Sequence, residues 1–95
     1  MPDLRPTPTV RATITERGGM LLDLRGRGRW YVLTLSGALW WQYLAAGATV
    51  DEAADQVAAL FGADADHVRA DMRALAHQLR DRHMLRDPAR RRRHR

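Results

Sequence analysis

Apolar and polar positions repeat with two different periods along this chain, and the change of period divides it. From Val10 to Thr15 the sequence VRATIT alternates apolar with polar residues, the period-two pattern of a half-buried strand. Met20 to Leu24 reads as a second strand, and Arg29 to Leu35 as a third, rich in the aromatic and β-branched residues that suit a pleated surface. Glu16 to Gly19 supplies one turn; Gly26-Arg27-Gly28 supplies another, where glycine can take positive φ. These segments predict an antiparallel meander. Beyond them the period lengthens to that of helices. Ser36 is the expected N-cap of a helix running to about Ala46, with Gly47 as its terminator. Thr49-Val50-Asp51-Glu52 has the form of a capping box and opens a second helix that ends near Gly62. Asp64 or Asp66 caps a third, longer helix, on which Val68, Met72, Leu75 and Leu79 share one face and form a core seam. Met84 and Leu85 close the apolar pattern. The order predicts an α+β, winged helix-turn-helix-like domain: a three-stranded antiparallel sheet followed by three helices.

A chain of 95 residues holds one domain and a core with little room for an enclosed active-site cavity. Residues 1–9 carry three of the four prolines and no periodic pattern, which predicts an irregular N-terminal arm. Residues 10–87 form the expected domain, and Pro88 marks the boundary to a disordered Arg-rich tail, residues 88–95. The net charge is +5, all 16 basic residues are Arg, and five of those lie in the last six positions, so the body of the protein is close to neutral. The tail reads first as a solvated, self-repelling terminus and second as a contact for nucleic acid or an acidic surface through counterion release. The absence of Cys excludes disulfides, thiolate metal sites and cysteine-based catalysis. No apolar run approaches a membrane span, and the N-terminus lacks the apolar stretch of a secretory signal, so a cytoplasmic location without membrane contact is expected.

The residues that carry chemistry form no catalytic constellation. Ser36, the one serine, stands at a helix cap and outside any nucleophile-elbow pattern. His67, His77 and His83 are spaced so that no neighbouring pair shares a helix face as i, i+4 ligands would, and the segment around Asp64 and Asp66 lacks the glycine and terminal Glu of a calcium loop. Gly26-Arg27-Gly28 lacks the third glycine of a dinucleotide fingerprint and leads into a strand. The expectation is a non-enzyme without cofactor or metal. Trp41 is assigned to the core. Trp40 lies about 100° from it on the helix, so one of the two is expected to be partly exposed, a sign of a binding partner. Arg69, Arg73 and Arg80 fall within about 40° of one another on the third helix. That stripe reads first as a solvated face, second as a peptide contact and third as a DNA reader.

GGMLLDLRGRGRWYVLTLSGALWW, followed by LAAGATVDEAADQVAALFGADADHVRADMRALAHQLRDRHML, resembles the PqqD-type recognition elements of ribosomally made, modified peptides, in particular the stand-alone proteins of lasso peptide gene clusters. The resemblance spans about Val10 to Leu85. Its carriers are Leu21-Leu22-Asp23, Gly28 before an aromatic strand, Trp41, Gly47-Ala48-Thr49 before the acidic capping box, and the seam from Asp71-Met72 to Leu79. The chain departs from the family at Thr34, where Asn is common; this is expected to alter the strand-to-helix corner without touching the binding groove. The resemblance implies that the leader segment of a precursor peptide adds as a fourth, antiparallel strand beside the third strand, in a groove walled by the third helix. A leader peptidase and a cyclase would then complete maturation.

The residues themselves allow that mechanism. A free strand edge backed by a helix binds an extended peptide through main-chain hydrogen bonds, with pockets for alternate side chains. Arg29, Trp30, Tyr31, Val32 and Leu33 would supply the edge, and Val68, Asp71, Met72 and Leu75 the pockets, without deciding which flank of the third helix faces the peptide. A monomer is expected. Two alternatives stand beside this reading: a winged-helix DNA-binding protein, and a PqqD-type adaptor for a radical enzyme that modifies another peptide.

Overall fold

The structure is a computed structural model that describes residues 3–25 and 28–88. Gly26 and Arg27 of the expected second turn, and Arg90 to Arg95 of the expected tail, lie outside the described residues. The elements are β1 (Arg5–Pro6), β2 (Val10–Thr15), β3 (Gly18–Asp23), β4 (Arg29–Leu33), α1 (Leu35–Ala45), α2 (Val50–Phe61), α3 (Ala65–Asp81) and β5 (Leu85–Arg86). The fold is α+β, with an antiparallel sheet in the order β2-β3-β4 followed by three helices, as the periodicities predict.

The sheet packs one face on the helices, so only alternate residues are buried. On β3, Leu21 and Asp23 are buried and Gly19 is half-buried while Met20 and Leu22 are exposed, Gly18 at the strand's start being buried out of phase; on β4, Leu33 is buried and Tyr31 half-buried, while Trp30 and Val32 are exposed. The register sets Met20 beside Val32 and Leu22 beside Trp30 on the outer face. Gly18 is required where β3 begins: its φ is +148°, and a Cβ there would stand 2.5 Å from the Leu33 carbonyl oxygen.

The helices bring three corrections to the sequence reading. The N-cap of α1 is Thr34 rather than Ser36: its hydroxyl accepts from the Gly37 N–H at 3.2 Å, because the helix starts directly after the strand and Ser36 already lies inside its first turn. Trp40 and Trp41 are both buried. A helix can bury side chains 100° apart only where it is enclosed on several sides, and α1 packs against α2, the three-stranded sheet, β1 and α3. The Trp40 indole N–H donates to the Val50 carbonyl at 3.1 Å, which satisfies its one polar group. Third, the N-terminal arm is not irregular throughout. Leu4 is fully buried, Arg5–Pro6 pairs with Leu85–Arg86, and the Arg5 guanidinium donates to the Leu44 and Ala48 carbonyls at 3.0 and 2.9 Å. A two-residue strand has no period, so its pairing with the far end of the chain left no local trace.

Thr49 and Glu52 form the reciprocal capping box of α2, and the Asp64 carboxylate caps α3. The three helices end alike. In each, the residue at the left-handed position and the one after it donate back into the last turn: Gly47 and Ala48 to Leu44 and Tyr43, Gly62 and Ala63 to Ala59 and Ala58, His83 and Met84 to Arg80 and Leu79. Asp23 locks the sheet to the end of α3. Its buried carboxylate accepts from the Thr9 hydroxyl at 2.9 Å, from the Arg25 N–H at 3.1 Å and from the Arg25 guanidinium at 2.7 Å, while that guanidinium also donates to the His83 carbonyl at 2.9 Å. The guanidinium hydrogen bonds hold the Asp23 carboxyl far below the usual carboxylate range, against the opposing effect of burial.

Candidate functional site

Because β3 is the central strand, β4 has one partnered edge and, among the described residues, one free edge. Which of its backbone groups face outward follows from alternation in an antiparallel ladder. The Leu24 N–H donates to the Thr9 carbonyl at 3.0 Å, which makes that pair a hydrogen-bonded one and sends the backbone groups of Leu22 and Met20 toward β2. Those of Asp23, Leu21 and Gly19 then point toward β4, where they meet Arg29, Tyr31 and Leu33. The residues between them, Trp30 and Val32, turn their N–H and C=O groups to the free edge.

This edge looks across a groove of about 510 Å³ at α3. Tyr31, Val32, Leu33, Thr34 and Ser36 line one side; Asp71, Met72, Ala74, Leu75 and Gln78 line the other. Gly37 sits beneath, where a Cβ would come within 3.3 Å of the Leu75 side chain, so the glycine lets α1 pass close under the groove. The Tyr31 hydroxyl donates to the Gln78 side-chain oxygen, and the Arg82 guanidinium lies 5.1 Å from the Tyr31 ring centroid, so these three side chains bridge β4 and α3 at one end. At the other end the Asp71 carboxylate is exposed and stands 3.4 Å from the His67 imidazole.

The structure thus places most of the residues expected from sequence around one groove, with exceptions. Val68 is buried in the core one turn before Met72 on α3 and does not line the groove. Met72 is buried at its floor, and Leu75 is half-buried between core and groove. Arg29 and Trp30 lie on β4 beyond the bridge, with the Trp30 side chain on the outer face of the sheet. Thr34 was expected to stay clear of the groove; it caps α1 and also lines the groove wall. Gln78, Ala74 and Ser36 were missed. The signal for Gln78 was present in its spacing: Asp71, Leu75 and Gln78 follow i, i+4, i+7 as a second stripe beside the core seam.

The structure also separates the two flanks of α3. Arg69 and Arg73 face α2 and form bidentate pairs with Asp55 at 2.7 Å and with Asp51 at 3.0 and 2.6 Å. These hydrogen bonds raise both guanidinium pKa values and lower both carboxyl values. Two members of the Arg stripe, Arg69 and Arg73, therefore tie α3 to α2, while Arg80 lies near the His77 ring on its own helix, and the flank that faces β4 is the one bearing Asp71. Among the described residues no cluster of His, Asp and Glu could hold a metal ion, and no helix is long and apolar enough to cross a membrane.

The profile of the family described as Coenzyme PQQ synthesis protein D (PqqD) matches residues 18–85. Among solved structures, TbiB1 in complex with the TbiA(beta) leader peptide superimposes with a TM-score of 0.74 at 23% identity, over 85% of this chain and 93% of that one. Lasso peptide synthetase B1 complexed with the leader peptide superimposes with a TM-score of 0.73 at 25% identity, over 88% of this chain and 98% of that one. No curated protein matches the chain.

Proposed function

The chain belongs to the PqqD family, and from that premise we propose that it binds the leader segment of a ribosomally made lasso precursor peptide by strand addition. The observation that carries this reading is the free edge of β4, where the Trp30 and Val32 backbone groups face a groove walled by α3. Two proteins of the same fold are held in complexes with leader peptides. Main-chain hydrogen bonds to Trp30 and Val32 would supply affinity largely independent of sequence. Tyr31, Leu33, Asp71, Met72 and Leu75, with Gln78, would read alternate side chains in the groove, and Trp30 and Val32 would meet those on the outer face. Arg29 stands at the end of the paired stretch, and Val68 belongs to the buried core rather than to the groove.

The module performs no chemistry in this reading. It holds the precursor for a leader peptidase and a cyclase, as a monomer in the cytoplasm. A DNA-binding role is disfavoured because Arg69 and Arg73, which would have contacted phosphates, are already held by Asp55 and Asp51. The test is fluorescence anisotropy with a labelled leader peptide encoded in the same gene cluster. Binding at micromolar concentration or tighter is expected, and no binding at tens of micromolar peptide overturns the reading.

A further inference from the structure

The groove is electrically uneven along its length. The flank of α3 that faces β4 carries His67, Asp71, Leu75 and Gln78 in that order, all within about 80° of the helix circumference, and the C-cap residue Arg82 follows them at its end. Leu75 sits in the middle, over the apolar floor of Met72 and Leu33. Asp71 is the carboxylate at the end that also holds Thr34 and Ser36. Arg82 is the cation at the other end, held over the Tyr31 ring, which is itself anchored to Gln78. Arg29 precedes Tyr31 by two positions on the same side of β4 and adds positive charge there. The remaining charges of α3 do not cancel this pattern. Arg69 and Arg73 are paired on the opposite flank, and Asp81 lies about 100° round the helix from Arg82.

Direction follows from the same contacts. Tyr31 meets Gln78 and Arg82, while the Gly37 position lies against both Leu33, at the end of β4, and Leu75, so α3 runs opposite to β4. A strand added antiparallel to β4 runs parallel to α3, passing Asp71 first and Arg82 last. The two charges are eleven positions apart on the helix, or about 16 Å at 1.5 Å per residue. An extended chain covers that in about five residues, and side chains on one face must be an even number apart, which leaves about four or six.

We propose that this groove selects leader peptides by charge order: a basic residue seated against Asp71, apolar residues over Met72 and Leu75, and an acidic residue about four or six positions later against Arg82. The proposal rests on leader binding at this groove and deepens it by naming the chemistry of the peptide. The His67 contact is a weak competitor for the incoming cation, because both side chains are largely exposed. Reversed charges would place like against like at both ends, so the groove also discriminates against a peptide of the same composition threaded the other way.

The test uses a fluorescein-labelled synthetic copy of the leader encoded in the same gene cluster. Each charged residue is reversed in turn, and every peptide is titrated against the parent protein, Asp71→Arg and Arg82→Glu. Both substitutions are at exposed positions, and thermal melts establish that the variants fold. One basic leader residue should lose affinity on the order of tenfold when reversed and regain it on Asp71→Arg. An acidic residue about four or six positions later should behave likewise with Arg82→Glu. A leader that binds the parent and both variants equally, or that shows the rescuing pairs in the opposite order, overturns the charge code while leaving leader binding intact. A leader that does not bind the parent overturns both.

Discussion

Along one flank of α3, Arg69 and Arg73 reach α2 and are met by carboxylates that take both of their forked N–H pairs. Along the other, the helix faces β4 across open space, and the Trp30 and Val32 backbone groups have no strand partner among the described residues. The same helix thus closes one seam and holds another open. Where partners are matched in sequence, the fold has spent its polar groups on itself; where they are not, hydrogen-bonding capacity and apolar surface remain for something else. An unprotected edge is ordinarily a liability. Here it carries no proline, and its two outward-facing residues, Trp30 and Val32, carry no charge.

The largest way to break this contrast is to damage the closed structure without touching the groove. Asp23→Ala leaves the Thr9 hydroxyl, the Arg25 N–H and the Arg25 guanidinium without their acceptor, and should destabilise the fold by about 2–3 kcal/mol in chemical denaturation. Its pH dependence has a definite sign. A carboxyl whose folded pKa is depressed contributes its stability above the unfolded value of about 4 and loses it as pH falls toward the folded value. The parent should therefore lose stability on acidification below about pH 4, and Asp23→Asn should flatten that part of the profile. A profile unchanged in Asp23→Asn counts against the assignment.

The open flank is broken by Val32→Pro. The Val32 N–H faces the free edge, so proline removes a donor available to a leader while leaving the ladder to β3 intact, as edge strands permit. Leader affinity should fall more than tenfold, with a native circular dichroism spectrum. Val32→Ala, which keeps the amide, should cost clearly less. A folded Val32→Pro that binds like the parent rules out strand addition at β4.

His83→Gly is expected to work in the opposite direction. Among the described residues His83 is the non-glycine one at positive φ (61°), holding the position that Gly47 and Gly62 fill at the other helix ends. Glycine there should stabilise the protein by up to about 1 kcal/mol, since the main-chain bonds of the cap and the His83 carbonyl are kept. A shift of the denaturation midpoint to lower denaturant would show that the imidazole makes a contribution larger than the strain.

The closed regions and the open one were not equally legible in the sequence. Helices and strands announce themselves through local period, so the capping box at Thr49 and Glu52 and the Val68-Met72-Leu75-Leu79 seam could be read directly, and the third helix's cap was narrowed to Asp64 or Asp66, of which Asp64 is the one used. What failed depended on enclosure or on distant pairing. Trp40 was misjudged because a single helix cannot reveal how many neighbours surround it, and Arg5–Pro6 because its partner lies at the other end of the chain. The groove was half visible for the same reason. Asp71 and Leu75 were reachable from the helix pattern, yet which flank they occupied depended on where Arg69 and Arg73 found Asp55 and Asp51.

That dependence gives the smallest and sharpest comparison. Arg69→Ala and Arg73→Ala each remove one side of an ion pair between partly exposed side chains, where screening and side-chain entropy leave little net contribution. Each should lower the denaturation midpoint by an amount near the limit of measurement, and less in high salt. Neither should change leader affinity, because both side chains face α2 rather than the groove. Asp71→Ala, on the opposite flank of the same helix, should show the reverse: stability unchanged and leader affinity reduced severalfold. If Arg69→Ala or Arg73→Ala weakens leader binding as much as Asp71→Ala does, the two flanks are not independent, and the division of α3 into a closed and an open side is wrong.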